Sequence, residues 1–377
     1  MPRAPKSGVT LATRATGGLL PPALVFAAAR LLLAEAGRAV GVDAWKALSW
    51  ERFDSVHYLA IATTGYEYFS CERLGGRPWE ACGNAAWFPL YPWLLRPLIA
   101  LGIAPETAGV WLAGLAALGT LVVLWNSFLR SRGLRGWLVL TLAAVFPGAV
   151  YQHAIFPTSL ALLGLVLAAV GVARARWALA GIAGAGVALS YVTGVLVALP
   201  SGVAALLRTR ALRPALLAGG IAACGFLGVL ALHQLVLGHW DAFYWVHRKG
   251  FPARARPLGA FLAVIDPAFH AVNHRHRIIA AQAITVATLV GLGLGMAWAR
   301  RRRPEVTRAW AVMAALTFWL FPLVVGRGVS LYRSDALVLP VVLLLIELPW
   351  PLLAALVIWL VILAEQMARL FFLGYLL

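Results

Sequence analysis

The residues best equipped for chemistry lie together at Trp50-Glu51-Arg52-Phe53-Asp54-Ser55-Val56-His57-Tyr58, continuing through Ile61-Ala62 to Gly65-Tyr66. The apolar positions after Asp54 suit a short helix, on which Asp54, His57, Tyr58 and Ile61 share a face. A carboxylate placed there can act as general base on an incoming hydroxyl. A neighbouring imidazole can tune it or bind a phosphate. The competing reading is structural: an aspartate at a helix start caps the first backbone N–H groups. Further on, Ala85-Ala86-Trp87-Phe88-Pro89-Leu90-Tyr91-Pro92-Trp93 is aromatic and proline-rich. It suits either a segment lying flat in a membrane interface or an ordinary aromatic belt.

A departing phosphate gains negative charge as its bond breaks, so cations beside it stabilise the transition state more than the ground state. Arg333 is the first candidate, with Arg327 flanking the same short turn; Arg248 and Lys249 follow the aromatic residues Trp240, Phe243, Tyr244 and Trp245. Contact with anionic lipid head groups is the alternative use for such side chains. Arg52, His57, Tyr58 and His153 complete the candidate substrate-binding set around a catalytic Asp54. The spacing His270-x-x-x-His274-x-His276 could hold a metal, but thiolates are absent and carboxylates sparse nearby, so no metal is expected. The sequence has no G-x-x-x-x-G-K-[ST] loop, no H-E-x-x-H and no Rossmann glycine pattern. ATP hydrolysis and nucleotide-sugar chemistry on a soluble domain are therefore not expected.

The elements that must position these groups are membrane helices. Of the 377 residues 62% are hydrophobic and 12% charged, and mean hydropathy is +0.84, more apolar surface than one water-soluble core could hide. Apolar runs long enough for a hydrocarbon layer of roughly 30 Å recur from residue 17 onward. The net charge of +18 does not point to nucleic acid, because the basic residues sit in short connectors between those runs. The positive-inside rule places Arg130, Arg132 and Arg135, then Arg174 and Arg176, then Arg208, Arg210 and Arg213, then Arg300 to Arg303 in the cytoplasm. The predicted spans are 17–36, 105–127, 137–151, 154–173, 177–190, 192–207, 214–237, 278–298, 305–325, 335–347 and 351–373. The first reads as a retained signal anchor.

This topology gives one membrane domain over residues 1–377, with long outer loops at 37–104 and 238–277 and a short outer turn at 326–334. Cys71 and Cys82 share the first outer loop, where a disulfide would close a short loop and two free thiols are the alternative. Cys224, inside an apolar run, is assigned to packing.

Arg52-Phe53-Asp54-Ser55 with Ile61-Ala62 and Gly65-Tyr66, then Trp87-Phe88-Pro89-Leu90-Tyr91-Pro92, resemble a pattern Arg-Trp-Asp-Ser, Ile-Ala-x-x-Gly-Tyr and Phe-Phe-Pro-Leu-x-Pro. That pattern marks bacterial relatives of the second mannosyltransferase of GPI-anchor synthesis. The resemblance covers residues 50–95 well and the remainder loosely. It implies a GT-C type glycosyltransferase: an all-α, polytopic helical bundle of about 11 membrane helices, with interfacial helices in the first outer loop. It further implies a multi-pass plasma-membrane protein with its active site on the extracytoplasmic side, Asp54 as catalytic acid, and Phe53 in place of the tryptophan.

The implied donor is a polyprenyl phosphate sugar, usually mannose. The acceptor is a hydroxyl of a glycolipid, glycan or protein, and the transfer inverts the anomeric carbon with no cofactor. Membrane lipids are further partners, and nucleic acid is not. The chain departs from the pattern in two places. Phe156-Pro157-Thr158-Ser159-Leu160 stands where relatives have an acidic Tyr-Ser-Glu-Ser-Leu, and Tyr191-Val192-Thr193-Gly194 where they have Arg-x-x-Gly. Ser330-Leu331-Tyr332-Arg333 keeps a Ser-Leu-x-Arg element. Two other readings use the same cavity without transfer: a lipid or sugar transporter, and a catalytically inactive relative that supports a partner enzyme.

Overall fold

The computed structural model describes residues 9–250, 259, 262, 265, 266, 269, 270, 273–302, 305–325 and 331–376, without the side chains of 9–17, 249 and 250. It is 78% helical. Seven helices among the described residues are long and apolar enough to cross a membrane: Gly18–Arg38, Pro105–Arg132, Val192–Thr209, Leu212–Leu237, His274–Ala299, Val306–Val325 and Trp350–Phe372. Leu134–Ala144, Thr158–Ala173 and Trp177–Ser190 are shorter apolar helices. Large apolar side chains such as Leu24, Leu31, Leu235, Ile358 and Ile362 stay exposed on these helices, the pattern of a bundle whose outer solvent is lipid.

The order of elements is α1 (Val9–Arg38), α2 (Ser55–Thr63), α3 (Leu90–Ala100), α4 (Pro105–Leu124), α5 (Leu134–Ala144), α6 (Val150–His153), α7 (Thr158–Ala173) and α8 (Trp177–Ser190). There follow α9 (Ala198–Thr209), α10 (Leu212–Leu237), α11 (Ala242–Gly250), α12 (His274–Ala299), α13 (Val306–Val325), α14 (Leu331–Ser334), α15 (Val342–Leu345) and α16 (Trp350–Phe372). Prolines set several starts: Pro105 begins α4, while Pro89 and Pro157 stand immediately before α3 and α7.

Small residues let the central helices approach closely. At Gly181 on α8 an added Cβ would stand 2.0 Å from the Leu217 carbonyl oxygen of α10, so only glycine fits that crossing. Helix α7 packs between α4 and α8, and α8 against α10.

The predicted span 192–207 opens as a 3-10 helix, Val192–Val197, and two other predicted spans depart further from the observed elements. The run 137–151 does not continue as one helix: α5 ends at Ala144 and the chain turns through Pro147-Gly148 before the single turn α6. The run 335–347 opens as a 3-10 helix, Asp335–Val341, before the short α15. Both irregular segments are almost wholly buried inside the bundle, where protein groups surround their backbone.

The first long loop is ordered by its own contacts. Strands Tyr68–Ser70 and Ala81–Gly83 pair antiparallel with Phe69 opposite Cys82, and Cys71 is disulfide-bonded to Cys82. Ala85 of this segment packs with Ala242 and Val246 of α11, which seats the hairpin on the second loop.

Candidate functional site

Ser55 fixes the turn that presents Asp54. Its hydroxyl accepts from Arg52 N–H at 3.2 Å and donates to the Arg52 carbonyl at 2.7 Å. Inside that turn Phe53 takes φ +54°, a left-handed conformation that costs a bulky residue roughly 1–3 kcal/mol and persists only where its surroundings impose it. Asp54 sits at the N-cap of α2, but its side chain makes no cap hydrogen bond. The capping reading of Asp54 is thereby replaced by another partner.

That partner is Arg333. Its Nη1 donates to Asp54 Oδ2 at 2.5 Å, joining residues 279 apart in sequence. Nη2 reaches the Leu376 carbonyl at 3.4 Å, beyond the end of α16. The guanidinium lies 5.4 Å from the Phe53 ring centre, 5.7 Å from Tyr151, 5.7 Å from Phe156 and 5.9 Å from Tyr332, within cation–π reach of all four. Arg333 is only 8% exposed, whereas the Asp54 side chain keeps 30% of its surface open. The pair is therefore buried on the cation side and accessible on the carboxylate side.

Several elements converge to build this box. Gly148, at φ +82°, allows the turn before α6 to approach the α14 segment: a Cβ there would meet Ala336 Cβ at 3.0 Å and the Tyr332 carbonyl at 3.4 Å. The approach sets the Tyr151 ring beside Tyr332 and edge-on to Phe156 and Phe371. Polar capacity remains in this wall. Arg333 Nε and the hydroxyls of Tyr151 and Tyr332 are buried without a hydrogen bond of good geometry, although the guanidinium stands close to both rings.

His57 stacks on Trp87 with ring centres 3.6 Å apart, and burial pushes its imidazole below the usual range, against the opposing pull of Asp54. Tyr58 is packed edge-on to Tyr91 and Phe156. Burial first, then Tyr191 and Asp54, raise its hydroxyl well above the usual phenolic range, so it remains neutral. The two motif blocks brace each other. Tyr66 donates to the Trp87 carbonyl at 2.9 Å, while Asn84 accepts from Glu67 N–H at 2.8 Å and donates to the Gly65 carbonyl at 3.0 Å. Arg96 donates to the Ile61 carbonyl at 3.0 Å, tying α3 to α2.

The other predicted site residues lie apart from the ion pair. Arg52 borders it in sequence, with Nε buried and unpartnered, and its charge partly offsets the rise that burial and Glu106 impose on Glu51. His153 is buried one aromatic layer away, stacked on Phe26 at 5.2 Å and tilted against Trp50 at 6.4 Å, while Trp50 in turn meets Phe371. Arg248 is exposed on α11 over Trp245, and no contact with Asp54 or Arg333 is described for it. The Lys249 side chain and Arg327 lie outside the described residues.

Tyr151 and Phe371 are not legible in the sequence, because each sits in an apolar run where an aromatic residue signals packing; Tyr332 shows there only as the variable position of Ser330-Leu331-Tyr332-Arg333. Thr158 and Tyr191 are hydrogen-bonded to each other through their hydroxyls at 3.3 Å. These are the positions where the resembled pattern has an acid and an arginine. Compared with known proteins, the chain matches no family model, and no curated protein is similar to it.

Proposed function

We propose that this protein is an integral membrane glycosyltransferase of GT-C type. In this reading it moves a sugar, mannose first, from a polyprenyl phosphate donor to an acceptor hydroxyl on the extracytoplasmic side, with inversion. The membrane architecture in this reading is about eleven crossings, the three shorter apolar helices and the 335–347 segment added to the seven long ones. The observation that carries the proposal is the pairing of Asp54, in a half-open position, with a buried Arg333 inside an aromatic box. Thr158 and Tyr191, where the resembled pattern has opposite charges, are joined here as a neutral hydrogen-bonded pair, the feature that favours the inactive-relative alternative.

The chemistry follows from the two free capacities of the pair. No hydrogen bond to Asp54 Oδ1 is described, so that oxygen can accept the acceptor's hydroxyl proton while Oδ2 stays with Arg333. The hydroxyl oxygen attacks the anomeric carbon, and the bond from that carbon to the phosphate oxygen breaks with its electron pair going to the phosphate. Arg333, through its unpartnered Nε, and the Tyr151 and Tyr332 hydroxyls supply donors for the charge gained there. An oxocarbenium-like transition state suits a carboxylate on one side and a retreating phosphate on the other.

Purified protein incubated with radiolabelled polyprenyl phosphate mannose and a membrane lipid extract tests the proposal. Label moving into a lipid, glycan or protein fraction is the expected result, and an Asp54→Asn protein should lose it. No transfer by the parent protein, with the donor still bound, would identify a non-catalytic binding relative. Label crossing the bilayer with its phosphate bond intact would identify a transporter.

A further inference from the structure

At the end of the bundle away from Asp54 there is a large open cavity of about 1140 Å³. Its position is set by α4, whose first turn holds Glu106 beside Glu51 and whose continuation reaches Arg132 at the cavity. The charged side chains of its wall are Arg132, Arg208, Arg301, Arg308 and Glu305; Glu305 pairs with Arg308 at 3.3 Å, which leaves Arg208 and Arg301 without a carboxylate partner among the described contacts. Apolar side chains, Phe128 and Met313 among them, share the same wall.

A basic surface at this end of a membrane protein needs no site to explain it, since cations collect there under the positive-inside rule. What that rule does not explain is convergence. Arg208 lines the cavity and is anchored by Nη1 on the carbonyls of Val172 and Ala173 at 3.1 and 3.2 Å, which holds it at the α7 terminus. Arg132 is held by Glu347 at 3.2 Å. Arg301, in the turn just past α12, lies over Trp298 of that helix at 3.9 Å. Arginines fixed by separate helix ends and turned to one volume form a pre-organised anion receptor, because their conformational freedom is already restricted before a ligand arrives.

We infer that this cavity binds a phosphate-bearing anion, with the phosphate among the arginines and any attached chain against the Phe128–Met313 side. A phosphate accepts several charge-assisted hydrogen bonds at once and matches the planar fork of arginine. The apolar part of the wall favours an amphiphilic phosphate, such as the head group of an anionic lipid, over free inorganic phosphate.

The test is the thermal unfolding midpoint of the purified full-length protein in a non-ionic detergent, titrated in parallel with phosphatidylglycerol, phosphatidylcholine and inorganic phosphate. A saturable upward shift with phosphatidylglycerol is expected, with a half-saturation concentration about tenfold higher in Arg301→Gln. The side-chain contacts described for Arg301 are with Trp298, three residues earlier, so that substitution leaves the fold intact. Met313→Trp, which puts a bulky ring against the apolar side of the wall and keeps every charge, should also weaken the shift. Arg213→Gln, an exposed cation that does not line the cavity, should leave it unchanged. A shift with inorganic phosphate that is also lost in Arg301→Gln supports the same site with a free anion as its occupant. The inference is overturned by any of three results: no saturable shift with either phosphatidylglycerol or inorganic phosphate, an equal shift with the zwitterionic phosphatidylcholine, or equal weakening by Arg213→Gln. None of these readouts involves sugar transfer, so the outcome is independent of Asp54.

Discussion

At the scale of single residues, Asp54 and Arg333 are each other's counterion, and under the proposed transfer their substitutions separate base from anion holder. Asp54→Asn keeps a hydrogen-bonding group facing Arg333 but removes the proton acceptor, so turnover should fall by about 10³. Its KM for the lipid-linked donor should stay level or drop, because Arg333 is then released to the phosphate. Arg333→Gln should lower turnover by a factor of about 10² and raise that KM. Arg333→Lys should recover little, since one ammonium cannot serve Asp54 and a phosphate in two directions. Steady-state kinetics with a fixed acceptor distinguish these cases, and an Asp54→Asn protein with parental turnover would end the general-base assignment.

His57 belongs to the same scale. Burial against Trp87 lowers its imidazole below the ordinary 6.5, so it is neutral in the folded protein. The unfolded chain takes up a proton more readily, so stability is present above 6.5 and is lost as pH falls through that value toward the lower folded one. The unfolding midpoint should therefore decline on acidification, and His57→Gln should flatten that part of the profile. An unchanged slope in His57→Gln would assign the decline to other groups.

At the scale of elements, α7 and α8 meet through Thr158 and the Tyr191 cap, the one place where both departures from the resembled pattern touch. Placing Glu at 158 alone or Arg at 191 alone introduces a charge into a buried contact and should destabilise the protein by about 3 kcal/mol. Thr158→Glu combined with Tyr191→Arg should restore part of that, with a coupling of about 2 kcal/mol in a double-mutant cycle read by thermal unfolding. Additive losses would show that the two sites do not substitute for a charge pair.

The same elements show what the sequence makes legible. Asp54 stands out because a carboxylate before a short apolar helix has few roles, and the long helices follow from hydropathy alone. Tyr151, Phe156 and Tyr332 do not stand out: Phe156 and Tyr151 lie in apolar runs, and nothing local says that Gly148 will bring one beside Tyr332. The broken spans at 137–151 and 335–347 fail for a related reason. Hydropathy registers apolar composition, whereas Pro147-Gly148 and Pro340 decide whether the backbone stays α-helical, and neighbouring helices shelter it when it does not.

At the scale of the whole molecule, the charge distribution and the contacts agree on two distinct ends. Arg132 and Arg300 both reach Glu347, at 3.2 Å each, so three connectors far apart in sequence lie together at one end. Arg174 reaches Ser127 at 3.5 Å, which adds the α7–α8 connector to that end. Asp54, the disulfide-closed hairpin and the residues after α16 lie at the other, since Arg333 joins Asp54 to Leu376. If arginine clustering sets orientation, the end carrying Arg132, Arg174 and Arg300 faces the cytoplasm.

Single cysteines placed at exposed positions test this in whole cells with a membrane-impermeant maleimide. Leu101→Cys, in the exposed turn between α3 and α4, should label in intact cells, while Arg213→Cys should label only after permeabilisation. The natural Cys224 is best replaced by serine first, because it is exposed on the apolar α10. Cys71 and Cys82 are occupied by each other. The reverse labelling pattern would place Asp54 on the cytoplasmic side, where a nucleotide-activated donor is available. The case for a lipid-linked donor would then have to rest on the ion pair alone.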